Sequence, residues 1–246
     1  MKTTTYFEKE SELVEELAKH IDKLYKPRNG VVAIGKEESA GLGIFDYAIF
    51  SVNKKMFSKR AASKLGTPIT SESMISVLLH LRADKPRTIK YLQRHTGINK
   101  KHLRTKVLKY LVKYKYISRS NHENYLKNPY YGNFVKYCIA IEAKLKKWND
   151  ALIQAYRYKA FANKTYVALS SKFTGPALRN INKFKAMNVG LIEVTKDGGI
   201  RIILKPKNEK PKSRIAIQLC NEIIVKNYYR MFLSENSFKA FSQASK

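Results

Sequence analysis

Apolar positions along the chain repeat first at helical spacing and then in alternation, and the switches between the two divide the sequence into elements. In residues 10–24, Leu13, Val14, Leu17 and Ile21 share one helical face, and Lys26-Pro27-Arg28-Asn29-Gly30 ends the segment. Residues 31–34 read as a short strand. Gly41 and Gly43 then lead into a second strand over 44–52, rich in aromatic and branched side chains, with Asp46 inside it. An aspartate in such a strand is costly unless it is paired or holds a cation.

From residue 53 to 128 the texture becomes helical and basic. Ser71-Glu72-Ser73 can cap a helix whose apolar positions are Met74, Ile75, Val77, Leu78 and Leu81. Residues 88–96 give a second helix, Gly97-Ile98-Asn99 a turn, and residues 100–116 a third helix with Leu103, Val107, Leu108, Leu111 and Val112 inward. Two helices joined by a tight glycine turn, the second of them basic, form a helix-turn-helix pattern. Tyr116-Ile117-Ser118-Arg119 and the polar loop after it would be the wing of a winged helix.

Residues 134–145 return to a long apolar strand. Its end places Glu142 and Lys144 on one face, about 7 Å apart, and Ile139, Ile141, Ala143 and Leu145 on the other. Asn149 or Asp150 can cap a helix over 151–161 with the small face Ala151, Gln154, Ala155, Tyr158. A strand over 166–170, a helix over 175–187, and a hairpin of 191–194 with 200–204 around Asp197-Gly198-Gly199 follow. Residues 205–212 read as a charged linker, and 215–233 as a closing helix.

Charge narrows the range of partners. The 246 residues carry 48 Lys+Arg against 19 Asp+Glu, a formal charge of +29, which points to a polyanion and first to nucleic acid. No apolar run is long enough to span a bilayer, and Met1-Lys2-Thr3-Thr4-Thr5 has no signal-peptide core, so no membrane partner and a cytoplasmic, nucleoid-associated setting are expected. Cys138 and Cys220 each lie in an apolar run and read as buried thiols. Zinc-ligand spacing, a phosphate loop and a nucleophile elbow are all missing, which disfavours the corresponding chemistries.

A helix with an early glutamate, a strand with one aspartate, the run Ile139-Ala140-Ile141-Glu142-Ala143-Lys144, the segment Asp150-Ala151-Leu152-Ile153-Gln154-Ala155-Tyr156-Arg157-Tyr158 and the strand Tyr166-Val167-Ala168-Leu169 together resemble the PD-(D/E)xK nuclease superfamily. The resemblance covers residues 1–57 and 130–205. It implies an α/β (α+β), restriction-endonuclease-like mixed sheet core with helices, interrupted by a helical winged helix-turn-helix insert. The expected division is 1–57 and 130–212 for the nuclease-like core, 58–129 for the insert and 213–246 for a C-terminal helix. Phe45 stands where the family often has proline.

By that resemblance Asp46 and Glu142, with the carbonyl of Ala143, would hold Mg²⁺ or Mn²⁺, and Lys144 would orient the attacking water or lower its pKa. Gln154 maps to the family's helix-borne glutamine. Glu10 maps to its helix-borne acid, with Glu12 as the fallback. Each has a plainer reading beside it: Glu142 and Lys144 as a charge pair at a strand end, Gln154 as a surface glutamine, Glu10 as an acid favoured by a helix N-terminus. In the insert, Asn99, Lys100, Lys101, His102, Arg104 and Thr105 stand where a recognition helix meets the major groove, and Arg119 would touch phosphates or the minor groove.

The expected activity is therefore a metal-dependent DNA endonuclease acting on duplex or branched DNA, with a homodimer as the state that two-strand cutting calls for. A DNA-binding regulator on a catalytically inactive nuclease-like scaffold is the alternative. A basic structural or RNA-binding protein is the third reading.

Overall fold

A computed structural model describes residues 6–26, 31–121, 123–235, 238 and 241. The architecture is mixed α/β: a six-stranded mixed sheet, a second sheet of three short strands, and helices around both. The large sheet is built from β1 (Val31–Ser39), β2 (Ile44–Val52), β6 (Val135–Lys144), β7 (Lys164–Ser170), β8 (Gly190–Val194) and β9 (Ile200–Leu204), in the order β1-β2-β6-β7-β8-β9. The small sheet is built from β3 (Arg87–Thr88), β4 (Ile117–Asn121) and β5 (Asn124–Lys127), in the order β3-β5-β4. β1, β2 and β6 pair antiparallel, β6, β7 and β8 run parallel, and β9 closes the edge antiparallel.

The alternation on β6 sorts its side chains as the sequence pattern requires. Ile139, Ile141 and Ala143 join Tyr47, Ile49, Tyr166 and Ala168 in one apolar layer under Leu13 and Leu17 of the helix Glu10–Ala18. Cys138 and Ala140 face the other way, with Ala48 and Phe50, onto Cys220 and Ile224 of the helix Arg214–Glu235. Both thiols are buried and free, as expected. On the same side, further along the sheet, Val167 and Leu169 pack beneath Ala151, Leu152 and Ala155 of the helix Trp148–Arg157.

Several element boundaries differ from the sequence reading for physical reasons. The first helix stops at Ala18 and resumes as a single turn, Ile21–Leu24; the expected stop signal at residues 27–30 lies outside the described residues, as do residues 1–5. The β1 strand runs on to Ser39 because β2 pairs along its whole length, from Val31 with Val52 to Ser39 with Ile44. The helix before the candidate site starts at Trp148 with Lys147 as its N-cap, so Asn149 and Asp150 lie in the first turn and do not cap it. The helix expected over 175–187 is two helices, Thr174–Arg179 and Ile181–Met187, broken at Asn180. Residues 205–212 pack against the fold: Glu209 receives the ammonium of Lys159 at 2.9 Å and its N–H reaches the Asn163 carbonyl at 3.0 Å.

The basic middle of the chain leaves the sheet and returns to it at one place. Val52 pairs with Val135, and the Asn53 N–H donates to the Phe134 carbonyl at 2.8 Å. Between these points lie the helices Lys54–Ala62, Glu72–His80 and Ile89–Thr96, a longer helix over 100–113, and the strands β3, β4 and β5. Ser71 and Thr88 cap their helices through Met74 N and Tyr91 N, and Gly97 takes φ +69° in the turn. The longer helix winds as a π-helix over Leu103–Leu108. Its wider turn advances the apolar face, so Leu111 stays buried while Val112, expected inward, is exposed. The apolar core of this middle part is continuous with that of the sheet through the helix Arg214–Glu235, so the intervals 58–129 and 213–246 share one core with the strands. No helix among the described residues is long and apolar enough to cross a membrane.

Candidate active site

The site forms where β2 begins and β6 ends. Tyr47 pairs with Ile141, and one step further along this antiparallel pair Asp46 stands opposite Glu142 on the same face. Two residues on, Lys144 extends from that face and gathers the acids. Its Nζ lies 3.0 Å from Glu142 Oε1, 3.2 Å from Glu10 Oε2 and 3.9 Å from Asp46 Oδ2. Glu10 and not Glu12 reaches this point, because Glu12 turns to Lys196 at 3.7 Å and to the N–H of Glu8.

Each acid is held by a further group. Asp46 Oδ2 accepts the Ala143 N–H at 2.7 Å, at the level where the pairing of β2 with β6 gives out. A strand residue sends its N–H and C=O to the same edge, so the Ala143 carbonyl shares the edge that meets Asp46. The remaining Glu142 oxygen is hydrogen-bonded to the Tyr158 hydroxyl, whose oxygen also lies 2.7 Å from the Ile44 carbonyl, so its single proton is shared between the two acceptors. Tyr158 thereby ties the helix over 148–157 to the start of β2. Gln154, one turn earlier on that helix, is half-buried, and its side chain makes no hydrogen bond among the described residues.

The electrostatics follow from burial. Glu142 is 1 % exposed, and its pKa is raised, first by burial and then by Asp46, against the pull of the Tyr158 hydroxyl and of Lys144. Asp46 is raised too, chiefly by burial, with Glu10 and Glu37 adding to it and the Ala143 amide and Lys144 opposing. Burial works against the Lys144 charge, yet its bond to Glu142 and the field of Asp46 leave its pKa raised. Lys144 is therefore a cation at neutral pH, facing more acid than it can neutralise.

A stability prediction follows, with its sign fixed by these directions. Both carboxyl groups hold protons more tightly folded than unfolded, so the stability they contribute is greatest below the ordinary carboxylate range and falls as pH rises through the raised values. Urea unfolding of the metal-free protein from about pH 4 to 7 is expected to show wild type losing stability relative to Glu142→Gln as pH rises. A difference that grows in the other direction contradicts the assignment.

Two carboxylates and a main-chain carbonyl are hard oxygen donors, the kind Mg²⁺ and Mn²⁺ take, and an excess of acid around one ammonium is the setting a divalent charge relieves. Among the described residues no group of three or more His, Cys, Asp and Glu side chains is arranged to hold a metal ion, so a metal here would complete its shell with water or substrate oxygens.

Sequence reasoning missed four residues around this site. Tyr158 was read only as part of a close-packing helix face, and its hydroxyl gave no periodic signal. Lys146, Lys172 and Lys196 each stand two residues past the end of β6, β7 and β8, all exposed along the carboxyl edge of the parallel strands. Lys172 lies 4.5 Å from the ring centre of Tyr6 and Lys146 lies 5.0 Å from that of Phe173. The recurrence of a lysine two positions after each strand was the available signal.

In the middle of the chain, Lys100, Lys101, His102, Arg104 and Thr105 are exposed at the start of the longer helix. Four of the expected contact residues have side-chain partners within the protein. Asn99 accepts the Lys101 N–H at 2.9 Å, Thr105 donates to the Lys101 carbonyl at 2.8 Å, and Arg104 meets Glu123 at 2.5 Å. Arg119 Nε donates to the Asn121 carbonyl at 3.2 Å. No known family model, curated protein or solved structure matches the chain.

Proposed function

We propose that the protein is a metal-dependent DNA endonuclease whose cleavage centre is Asp46, Glu142 and Lys144 and whose basic middle part, a winged helix-turn-helix, docks it on DNA. The observation that carries this reading is the convergence of Asp46 and Glu142, from strands separated by the whole insert, within 3.9 Å of one ammonium group. Two acids and a lysine at a strand end, in a chain of charge +29, fit phosphodiester hydrolysis better than any other chemistry the side chains offer.

Asp46, Glu142 and the Ala143 carbonyl would hold Mg²⁺ or Mn²⁺, and Glu10 would stand beside them. Such an ion, when bound, offsets charge on the phosphoryl oxygens and activates water. Lys144, a cation at neutral pH by its raised pKa, is suited to orienting water and meeting phosphoryl oxygens, and not to accepting a proton. Tyr158 fixes the rotamer of Glu142. Lys146, Lys172 and Lys196 would carry the phosphates of the bound strand past the site.

The order helix, strand, helix, helix, strand, strand in the middle part, with β3 beside β5, is what a winged helix requires, and it supports that assignment. One observation favours the alternative of a DNA-binding regulator on an inactive scaffold: the Lys144 ammonium already stands between the three acids, in the space an ion would need. Plasmid incubated with Mg²⁺ or Mn²⁺ separates the two. Cutting by wild type and not by Glu142→Ala or Lys144→Ala supports the nuclease, and binding without cutting in either metal supports the regulator. Tyr158→Phe is expected to cost about 1 kcal/mol of stability and to slow cutting by about 10- to 100-fold, with DNA affinity unchanged. Unchanged cutting would show that Tyr158 does not position Glu142.

A further inference from the structure

A cavity of about 250 Å³ opens between the middle part of the chain and the first turn of the helix Arg214–Glu235, and neither Lys144 nor any of the three acids of the cleavage centre lines it. Its polar lining comes from Lys127 at the end of β5, Tyr131 and Asn133 in the return to β6, and Arg214 and Gln218 of the helix. Lys127 and Arg214 face the same space, and neither has a carboxylate within ion-pair distance among the described residues. The one acid bordering the cavity through Gln218 is Glu222, already neutralised by Arg60 at 2.7 Å.

Gln218 turns its amide N–H to Glu222 at 3.4 Å, whereas Asn133 is a donor toward the cavity. Asn133 spends its carbonyl oxygen on the N–H of Val135 at 3.1 Å and on Asn221 at 2.9 Å, which leaves its own amide N–H groups to be used. Ser213 caps the helix through Ala216 N at 3.2 Å, so the positive end of a 22-residue helix meets the same space. Two cations, an amide donor and a helix N-terminus around a half-enclosed volume make a site that, among the described residues, has donors on its walls and no free acid.

We propose that this cavity binds a phosphoryl group, with Lys127 and Arg214 as its charged contacts. Lys127 is half-buried, and burial together with the neighbouring Arg214 lowers its pKa, which is the penalty an anion between them removes. The volume holds a phosphoryl group with ordered water around it. The phosphoryl group comes either from a nucleic-acid backbone crossing the seam or from a free phosphate or pyrophosphate. The site is independent of the cleavage centre and does not need the protein to be a nuclease.

The test uses the full chain as wild type, as Lys127→Gln/Arg214→Gln, and as the charge-matched control Lys205→Gln/Lys207→Gln, whose lysines are exposed beyond β9. Inorganic phosphate and pyrophosphate, at constant ionic strength, are expected to raise the melting temperature of wild type and control and to leave the Lys127/Arg214 variant unmoved. Duplex binding across a salt series then separates the sources. A variant about 10-fold weaker than the control, with a salt slope lower by about 1 to 2, identifies a backbone phosphate, and equal binding identifies the free anion. If the glutamine pair does not fold, Lys127→Arg with Arg214→Lys must keep the response and Lys127→Gln alone must lower it. A wild type unmoved by both anions, or a variant that responds as wild type does, overturns the proposal.

Discussion

Arg60→Ala is expected to lower the unfolding free energy by about 3–5 kcal/mol, the largest single loss of stability in the molecule. The guanidinium is 1 % exposed and meets both oxygens of Glu222, at 2.9 and 2.7 Å, in a fork, while its Nε donates to the Leu65 carbonyl at 3.1 Å. Glu222, 2 % exposed, also takes the N–H of Ile69 at 2.9 Å. Truncating the arginine leaves a carboxylate buried with too little positive charge around it, and that penalty exceeds the lost contacts. The pair joins the helix Lys54–Ala62, which leads away from the sheet, to the helix Arg214–Glu235 that covers it. Urea unfolding reads the effect. Arg60→Met with Glu222→Leu should recover most of the loss, because no unpaired charge remains, and a single substitution costing under about 1 kcal/mol would show that the pair is not sealed from water.

Glu142→Ala is expected to reduce cutting by about 10³-fold or more while leaving the fold intact. Lys144→Ala should give a comparable loss of cutting with a different signature in stability. Removing Glu142 relieves a buried acid whose pKa is raised; removing Lys144 strips Glu10, Asp46 and Glu142 of their shared cation. The glutamate variant should therefore unfold at the same or higher urea than wild type and the lysine variant at lower urea. Equal destabilisation by both would mean that the group acts as a structural ion pair.

How much of this was legible in the sequence depended on what each feature rests on. Strand alternation was enough to put Glu142 and Lys144 on one face and Ile139, Ile141 and Ala143 on the other, because period 2 leaves no freedom once one face is apolar. Three helices of the middle part were legible from their 3.6-residue period, with Ser71 marking the start of one, whereas the basic helix Lys54–Ala62 carried no such pattern. The meeting of Asp46 with Glu142 was inferred from resemblance, since the pairing of β2 with β6 spans the whole middle part and no local pattern encodes it. Nothing along the chain marked Arg60 as buried: it lies in Lys54-Lys55-Met56-Phe57-Ser58-Lys59-Arg60, which reads as a solvated basic helix. Its partner is 162 residues away. Tyr158 was hidden in the same way, its role set by a contact 16 residues back with Glu142 and by the Ile44 carbonyl.

Diffraction from crystals soaked in Mn²⁺, collected at a wavelength where manganese scatters anomalously, tests the central claim most directly. One manganese peak is expected within about 2.0–2.3 Å of an oxygen of Asp46, an oxygen of Glu142 and the carbonyl of Ala143, with the Lys144 ammonium withdrawn from between the acids. No manganese at this position, with Lys144 still bridging Glu142 and Glu10, would contradict it.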